Sequence, residues 1–286
     1  MNGTGTRRLV WALLTGPYAL FLLVLLLVPF ANIAVYSLHP YSPTKVFLPE
    51  LTFDNYTRIF DLYYVRLFGR TLRLGLITTA VCVVLGYPLA YFLARARPRA
   101  QALGLFLMIM PLMVSAVIRI FGWIVILGRK GLVNQALVAI GLEPVKVLYT
   151  EAAVVIGRVN IFMPFMALPI MASIERISPS LEEAAQNLGA NWPRMFRRVL
   201  LPLSLPGLIS GCLLVYSLSI SAFVTPALMG NARERMAGQQ IYDEVLVSFN
   251  WPGASSLSLT LVLLTAILMF GALFATRHVS RREMTS

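Results

Sequence analysis

The feature that most constrains this chain is a series of long apolar runs, each long enough to cross a lipid bilayer as a helix. A transmembrane helix needs about 20 mostly apolar residues to cross a hydrocarbon core about 30 Å thick. Six runs meet this requirement, and we predict one span in each: 9–38, 74–94, 102–127, 152–174, 206–229 and 256–276. The sequence therefore predicts an all-α membrane protein with six transmembrane helices.

The composition agrees with a membrane protein, because only 13% of the 286 residues are charged and 58% are hydrophobic. A soluble domain carries about 25% charged residues. Cys82 and Cys212 both lie in apolar runs, and His39 and His278 are far apart, so we expect neither a disulfide framework nor a metal site. A Walker-type loop, HExxH and GxSxG are all missing from the sequence. We predict a non-enzyme that binds no cofactor itself.

The net charge of +12 could indicate nucleic-acid binding, but the basic residues cluster beside the predicted spans. The positive-inside rule explains such clusters as cytoplasmic loops next to the membrane. We therefore expect no nucleic-acid partner, and the arginine-rich loop 95–99 favours placing both termini in the cytoplasm. The first run follows Arg7 and Arg8, as in a signal peptide, but it is far longer than a signal peptide's apolar core. We interpret it as a retained span.

This topology divides the chain into four parts. Residues 1–38 form the cytoplasmic N-terminus and the first span, and residues 39–73 form an amphipathic extracytoplasmic connection at the membrane interface. Residues 74–276 form a five-helix core that includes a cytoplasmic loop at 175–205, and residues 277–286 form a cytoplasmic tail.

The predicted cytoplasmic loop contains the stretch SPSLEEAAQNLGANWPRMFRRVLLP, which is too charged to cross a bilayer and too long for a simple turn. Ser178 followed by Pro179 predicts a helix start, and Ser180 with Glu183 offers a competing capping box one step later. Gly189 is typical of a helix that ends on a left-handed residue. An apolar stripe with helical spacing precedes it, formed by Leu181, Ala184, Ala185 and Leu188.

A second short helix is expected after Asn191, which can cap it. Its apolar residues are Trp192, Met195, Phe196, Val199 and Leu200, and its other face carries Arg194, Arg197 and Arg198. We expect Pro202 and Pro206 to break the chain before the fifth span. The pattern predicts a helix–glycine–helix elbow. Docking to a cytoplasmic protein and packing on the lipid surface both fit such a loop.

The elbow resembles the EAA motif of bacterial ABC importer permeases. The motif's spacing is present in Glu-Ala-Ala at 183–185, Gly189, Val199 and Leu-Pro at 201–202. Val199 replaces the family's Ile. Four further segments are similar to spermidine/putrescine-type permeases: GYPLAYFLARA at 86–96, GWIVILGRKGLVNQAL at 122–137, LPLSLPGLISG at 201–211 and FVTPALMG at 223–230.

The resemblance implies the six-helix fold of a type I ABC importer permease in the bacterial inner membrane. It implies a second homologous permease subunit, a dimer of cytoplasmic ATP-binding subunits that bind ATP and Mg²⁺, and an extracytoplasmic solute-binding protein. The elbow would be the coupling helix that carries ATPase closure into the membrane. The residues assigned to ATPase coupling are Glu182, Glu183, Ala184, Ala185, Gly189 and Arg194.

Polar side chains inside predicted spans are candidates for the solute pathway, because intramembrane charges are costly. Two arginines lie inside spans, an amide follows one of them, and three hydroxyl groups share one helical face of the fifth span. Helix packing is the alternative for the arginines, and bonds to backbone carbonyls are the alternative for the hydroxyls. The candidate pathway residues are Arg119, Arg158, Asn160, Ser217, Ser221 and Thr225. Helix bends are expected at Pro88, Pro111, Pro164, Pro169 and Pro226.

The family resemblance indicates a polyamine or a related small organic solute. Polyamine permeases of this kind often carry an acidic residue before the FVTP element, where this chain has Ala222, and carboxylates suit a polycation better than arginines do. An opine, another amino-acid derivative or an organic anion therefore stays open. The alternative function is an ion-coupled secondary transporter acting without an ATPase. The sequence offers it neither a mid-membrane carboxylate relay nor inverted repeats.

Overall fold

The computed structural model describes residues 3–42, 50–231 and 235–283, with side chains in 16–42, 50–231 and 235–274. All regular structure in these residues is helical. The α-helices are α1 (Gly3–Ser37), α2 (Asp54–Thr57), α3 (Leu62–Arg95), α4 (Pro98–Ile109), α5 (Ala116–Leu127), α6 (Leu132–Ala139), α7 (Glu151–Glu175), α8 (Pro179–Asn187), α9 (Trp192–Met195), α10 (Leu201–Ser221), α11 (Val224–Met229), α12 (Ala237–Leu246) and α13 (Trp251–Glu283). Two 3-10 turns, Arg58–Phe60 and Met110–Met113, and a π-helical turn, Phe196–Leu200, complete them.

Among the described residues, five continuous helical segments are long and apolar enough to cross a membrane. They are Gly16–Ser37, Leu62–Arg95, Glu151–Glu175, Trp192–Ser221 and Trp251–Phe274. A sixth crossing exists if the bent pair Pro98–Met113 and Ala116–Ala139 forms one broken span. The prediction of an all-helical, multi-span chain is confirmed, while the cytoplasmic location of the termini stays a prediction.

The third span, predicted over 102–127 with a bend at Pro111, is fully broken. The segments on either side of the break are bent by 99°. Pro111 lies in the 3-10 turn before the break, and Val114 is extended, with φ −89° and ψ 137°. Proline cannot donate the backbone hydrogen bond of an α-helix, so the helix tightens at Pro111 and then ends.

The fifth span also differs from the prediction of 206–229. Its helix starts earlier and ends at Ser221, and Ala222 is extended before the short helix α11 begins. The ring of Pro226 would clash with the carbonyl of Ala222, four residues earlier, if the helix continued. The prediction that Pro202 and Pro206 break the chain is wrong. Pro202 lies in the first turn of α10, where proline is tolerated, and Pro206 lies inside that helix.

The connection 39–73 is shorter than predicted. Helix α3 begins at Leu62, so residues 62–73 are the first turns of the second membrane helix and not a separate interfacial piece. Before it, the chain forms α2 and the turn Arg58–Phe60. Residues 43–49 of this connection lie outside the described residues.

The described residues form two compact units, one from 1–64 and 241–264 and the other from 65–240 and 265–286. In the first unit, Asn55 of α2 is buried and ties that helix to the end of α1. Its side-chain amide donates to the carbonyl oxygens of Ser37 at 2.9 Å and of His39 at 2.8 Å.

The second unit is built around an apolar core between α3, α7 and α10, with Leu93, Met166 and Val215 among its buried residues. Helices α7 and α10 approach closely at Gly207, because a Cβ there would overlap the carbonyl oxygen of Pro169 and reach within 2.5 Å of the Cβ of Ser173. Small residues allow such close packing of membrane helices.

Candidate functional site

The predicted elbow forms, and we use that name for residues 178–200. Helix α8 starts after Ser178 with Pro179 in its first turn, as expected. The side chain of Ser178 does not cap the helix but shares a hydrogen bond of 2.7 Å with the hydroxyl of Ser180. The capping box between Ser180 and Glu183 is not formed, since α8 keeps the earlier start.

The turn of the elbow depends on Gly189, whose φ is +78°. The N–H of Gly189 donates to Gln186 O at 2.9 Å, and the N–H of Ala190 donates to Ala185 O at 3.0 Å. This pair of bonds is a Schellman motif, which satisfies carbonyls at a helix end and requires a left-handed residue. The chain then enters α9, where the Oδ1 of Asn191 accepts from the N–H of Arg194 at 3.2 Å. The predicted helix end and second cap are confirmed.

One face of the elbow is left uncovered by the part of the chain that the structure describes. Glu183, Ala184, Gly189 and Arg194 are exposed, and Leu188 has 89% of its surface exposed. Ala185 is half-buried against a small apolar cluster that includes Met195 and Leu200. Contact of these residues with an ATPase stays a prediction.

Glu182 turns the opposite way, into the protein. It is 7% exposed, and its Oε1 accepts from the Nε of Arg95 at 2.8 Å. Its Oε2 accepts from the hydroxyl of Tyr91 at 2.8 Å. Sequence reasoning grouped Glu182 with the outward-facing residues and missed Tyr91 and Arg95. The contacts give Glu182 an anchoring position against α3, whereas Glu183 stays available to a partner.

The second half of the elbow is fixed by aromatic side chains. Trp192 stacks on Phe196 with ring centroids 5.4 Å apart, and Tyr87 of α3 meets Phe196 edge to face at 5.1 Å. The hydroxyl of Tyr87 lies 2.6 Å from that of the buried Ser204. These contacts pack this half of the elbow on the helices of the same chain, although Trp192 keeps 58% of its surface exposed.

Arg158, a candidate pathway residue, is completely buried on α7. Its Nη1 donates to Ser219 Oγ at 3.4 Å, and its Nη2 donates to Ala222 O at 3.2 Å and Met236 Sδ at 3.0 Å. Its Nε has no hydrogen-bond partner among the described residues. These contacts favour the packing alternative for this side chain.

Arg119 lies on α5, just after the break in the third span. Its side chain is partly exposed, but its Nε and Nη1 atoms are buried without a hydrogen-bond partner among the residues described. These two nitrogen atoms of Arg119 therefore have no acceptor among the described residues. Asn160 is half-buried on α7. The assignment of Arg119 and Asn160 to the solute pathway therefore stays a prediction.

The predicted polar line on the fifth span is interrupted by the end of α10. Ser217 and Ser221 lie on α10, and the hydroxyl of Ser221 donates to the carbonyl oxygen of Ser217 at 3.0 Å, which is the backbone-bonding alternative. Thr225 lies on α11 and is 2% exposed. The three residues therefore do not share one continuous helical face. Ser219, which contacts Arg158, was missed because it lies off that face.

Known proteins resemble this chain over most of its length. The family model described as "Binding-protein-dependent transport system inner membrane component" matches residues 83–284. The spermidine/putrescine transport system permease protein PotB of Haemophilus influenzae is 36% identical over 264 residues, which cover 92% of each chain. PotB of Escherichia coli is 37% identical over 233 residues, which cover 81% of this chain and 85% of that one.

Solved structures show the same fold. A chain of a bacterial alginate ABC transporter, in complex with an alginate pentasaccharide-bound periplasmic protein, matches with a TM-score of 0.76 at 19% identity over 96% of both chains. A chain of the inward-facing MetNI methionine ABC transporter matches with a TM-score of 0.56 at 19% identity, over 73% of this chain and 92% of that one. The predicted permease fold is confirmed.

The family match and the two PotB relatives favour the predicted transport subunit over an ion-coupled carrier that works alone. They also confirm that the chain is a non-catalytic component located in the inner membrane. On this evidence the chain belongs to the family of binding-protein-dependent transport system inner membrane components, in which it is a permease subunit.

Proposed function

We propose that this permease subunit imports a polyamine or a related small organic cation. The observation that carries the proposal is the identity of more than one third with two spermidine/putrescine permeases over most of their length. Opines, other amino-acid derivatives and organic anions are the competing solutes.

The position of Arg158 removes one of two objections to a cationic solute, whereas the objection from Arg119 remains. An arginine that faces the pathway would repel a polycation. Arg158 is completely buried and donates to Ser219 and Ala222 of the same unit, so its charge is directed into the protein.

We further propose that the exposed face of the elbow docks on a cytoplasmic ATPase, and that a second permease and an extracytoplasmic binding protein complete the complex. Helices that lie on a lipid surface are rich in Lys and Arg. Helix α8 has two glutamates and no basic residue, which favours a protein partner over lipid. Ala184 allows close approach, and the exposed Glu183 offers a charge-assisted hydrogen bond.

Uptake into proteoliposomes that contain the complete transporter tests the substrate class. With the binding protein outside and ATP inside, we expect labelled spermidine or putrescine to accumulate, and accumulation to stop without ATP. Excess unlabelled opine, amino acid or dicarboxylate should leave this uptake unchanged. ATP-driven accumulation of one of those solutes without polyamine uptake would overturn the proposed substrate.

A further inference from the structure

Side-chain contacts attach the elbow to a helix that it does not adjoin in the sequence. The chain joins the elbow to α7 on one side and to α10 on the other. Glu182 adds a link to α3, through Arg95 at 2.8 Å and Tyr91 at 2.8 Å. Arg95 also donates from Nη2 to the carbonyl oxygen of Ile177, just before the elbow, at 3.0 Å.

This link uses both carboxylate oxygens of the buried Glu182, and its partners Tyr91 and Arg95 are half-buried. Two donors of one guanidinium, Nε and Nη2, reach the same carboxylate oxygen. Charge-assisted contacts of this kind are stronger than neutral hydrogen bonds. Removing one partner would leave a buried charge uncompensated. Helix α8 and the end of α3 therefore move together unless this cluster is broken.

Helix α3 also contacts α7 near its N-terminal third. Glu151, in the first turn of α7, forms ion pairs with Arg70 and Arg73 of α3, the first at 3.3 Å. From Arg73 to Arg95 the helix rises about 33 Å, which is about the thickness of the hydrocarbon core. A displacement of the elbow would therefore act on α3, a helix long enough to cross the membrane.

We propose that Glu182 is a positioning residue that transmits ATPase-driven movement of the elbow through Arg95 to α3. The two adjacent glutamates then have separate roles: Glu183 contacts the ATPase, and Glu182 connects the elbow to a third membrane helix. This inference rests on the proposed docking of the elbow. Breaking the link uncouples ATP hydrolysis from solute movement and leaves docking intact.

The test compares Glu182→Gln, Arg95→Gln and the double variant in the complete transporter, reconstituted with its ATPase, second permease and binding protein. Arg99→Gln is the matched control, since it removes the same charge from an exposed position of α4. Three quantities are measured for each: ATPase retained on the purified complex, ATP hydrolysed, and labelled polyamine imported per ATP.

We expect both single variants to retain the ATPase and to hydrolyse ATP, while import per ATP falls at least about fivefold, the low end of a typical coupling between sites. The double variant should be no worse than the more damaging single variant, because both remove one interaction. Arg99→Gln should match the unmodified chain. Import per ATP that is unchanged in Glu182→Gln, or reduced as much in Arg99→Gln, would overturn the inference.

Loss of ATPase from Glu182→Gln alone would also overturn it, because Glu182 would then be needed for docking. An unmodified chain that retains no ATPase is a different result. It would overturn the proposed docking, and with it the inference that rests on docking.

Discussion

The Nη2 atom of Arg158 donates a hydrogen bond of 3.2 Å to the carbonyl oxygen of Ala222, the residue at which α10 ends. Carbonyls in the last turn of a helix have no partner within the helix and carry partial negative charge. A broken helix inside a membrane must satisfy these groups with other parts of the protein. Arg158 does so from α7, and the helix end in turn stabilises the buried cation.

Replacement of Arg158 by lysine should destabilise the permease without changing its apparent affinity for solute. An ammonium lacks the guanidinium fork that reaches both Ser219 and Ala222. Hydrogen bonds to charged groups contribute about 2 kcal/mol, so the apparent melting temperature should fall by about 5 °C. Thermal unfolding of the purified complex measures this, with the exposed Arg99→Lys as control. A changed KM at unchanged stability would instead place Arg158 in the solute pathway.

Gly207→Ala should lower the yield of folded protein, because the new methyl group would overlap the carbonyl oxygen of Pro169. Overpacking costs about 1–3 kcal/mol where the neighbour can shift, and a helix backbone shifts less readily than a side chain. Gly69→Ala is the matched control, since its Cβ would meet no atom within 4 Å. Size-exclusion profiles of the detergent-solubilised variants measure the effect. Equal monodisperse yields from both would contradict the close packing of α7 and α10.

Gly189 should tolerate asparagine far better than valine. A β-branched residue at φ +78° is strained by about 1–2 kcal/mol, whereas asparagine enters the left-handed region more readily. We expect Gly189→Val to weaken ATPase retention and Gly189→Asn to preserve it. Pull-down of the ATPase by each variant, at equal permease loading, measures the difference. Equal retention by the valine variant would show that the shape of the turn does not matter for docking.

The elbow could be predicted because short-range interactions determine it. The turn at Gly189 and the cap at Asn191 each involve residues within five positions of one another. The same local reasoning places the exposed stripe at Ala184 and Leu188, since helical spacing alone defines that face. The long apolar spans could be predicted for a similar reason, because hydropathy over a helix length is a property of one segment.

The prolines predict where the helices bend, but the complete end of α10 could not be predicted, because a distant residue stabilises it. A proline such as Pro226 indicates a bend or a break, and which of the two occurs depends on partners for the freed carbonyls. For Ala222 that partner is Arg158, 64 residues earlier in the chain. Once α10 ends, the helical spacing that joined Ser217 to Thr225 no longer applies. The inward turn of Glu182 depends likewise on Arg95, 87 residues away.

Binding of the ATPase by this permease decides whether the exposed face of the elbow is the docking surface. Substitution of Glu183 by arginine, or of Leu188 by serine, changes an exposed side chain that supports no fold contact, so insertion and yield should be unchanged. Quantitative pull-down should show affinity for the ATPase lowered at least about tenfold in each, as for an interface hot spot, and unchanged in the control Glu175→Arg. ATPase retained equally by Glu183→Arg and Leu188→Ser would contradict the account, because the exposed face of the elbow would then not be the docking surface.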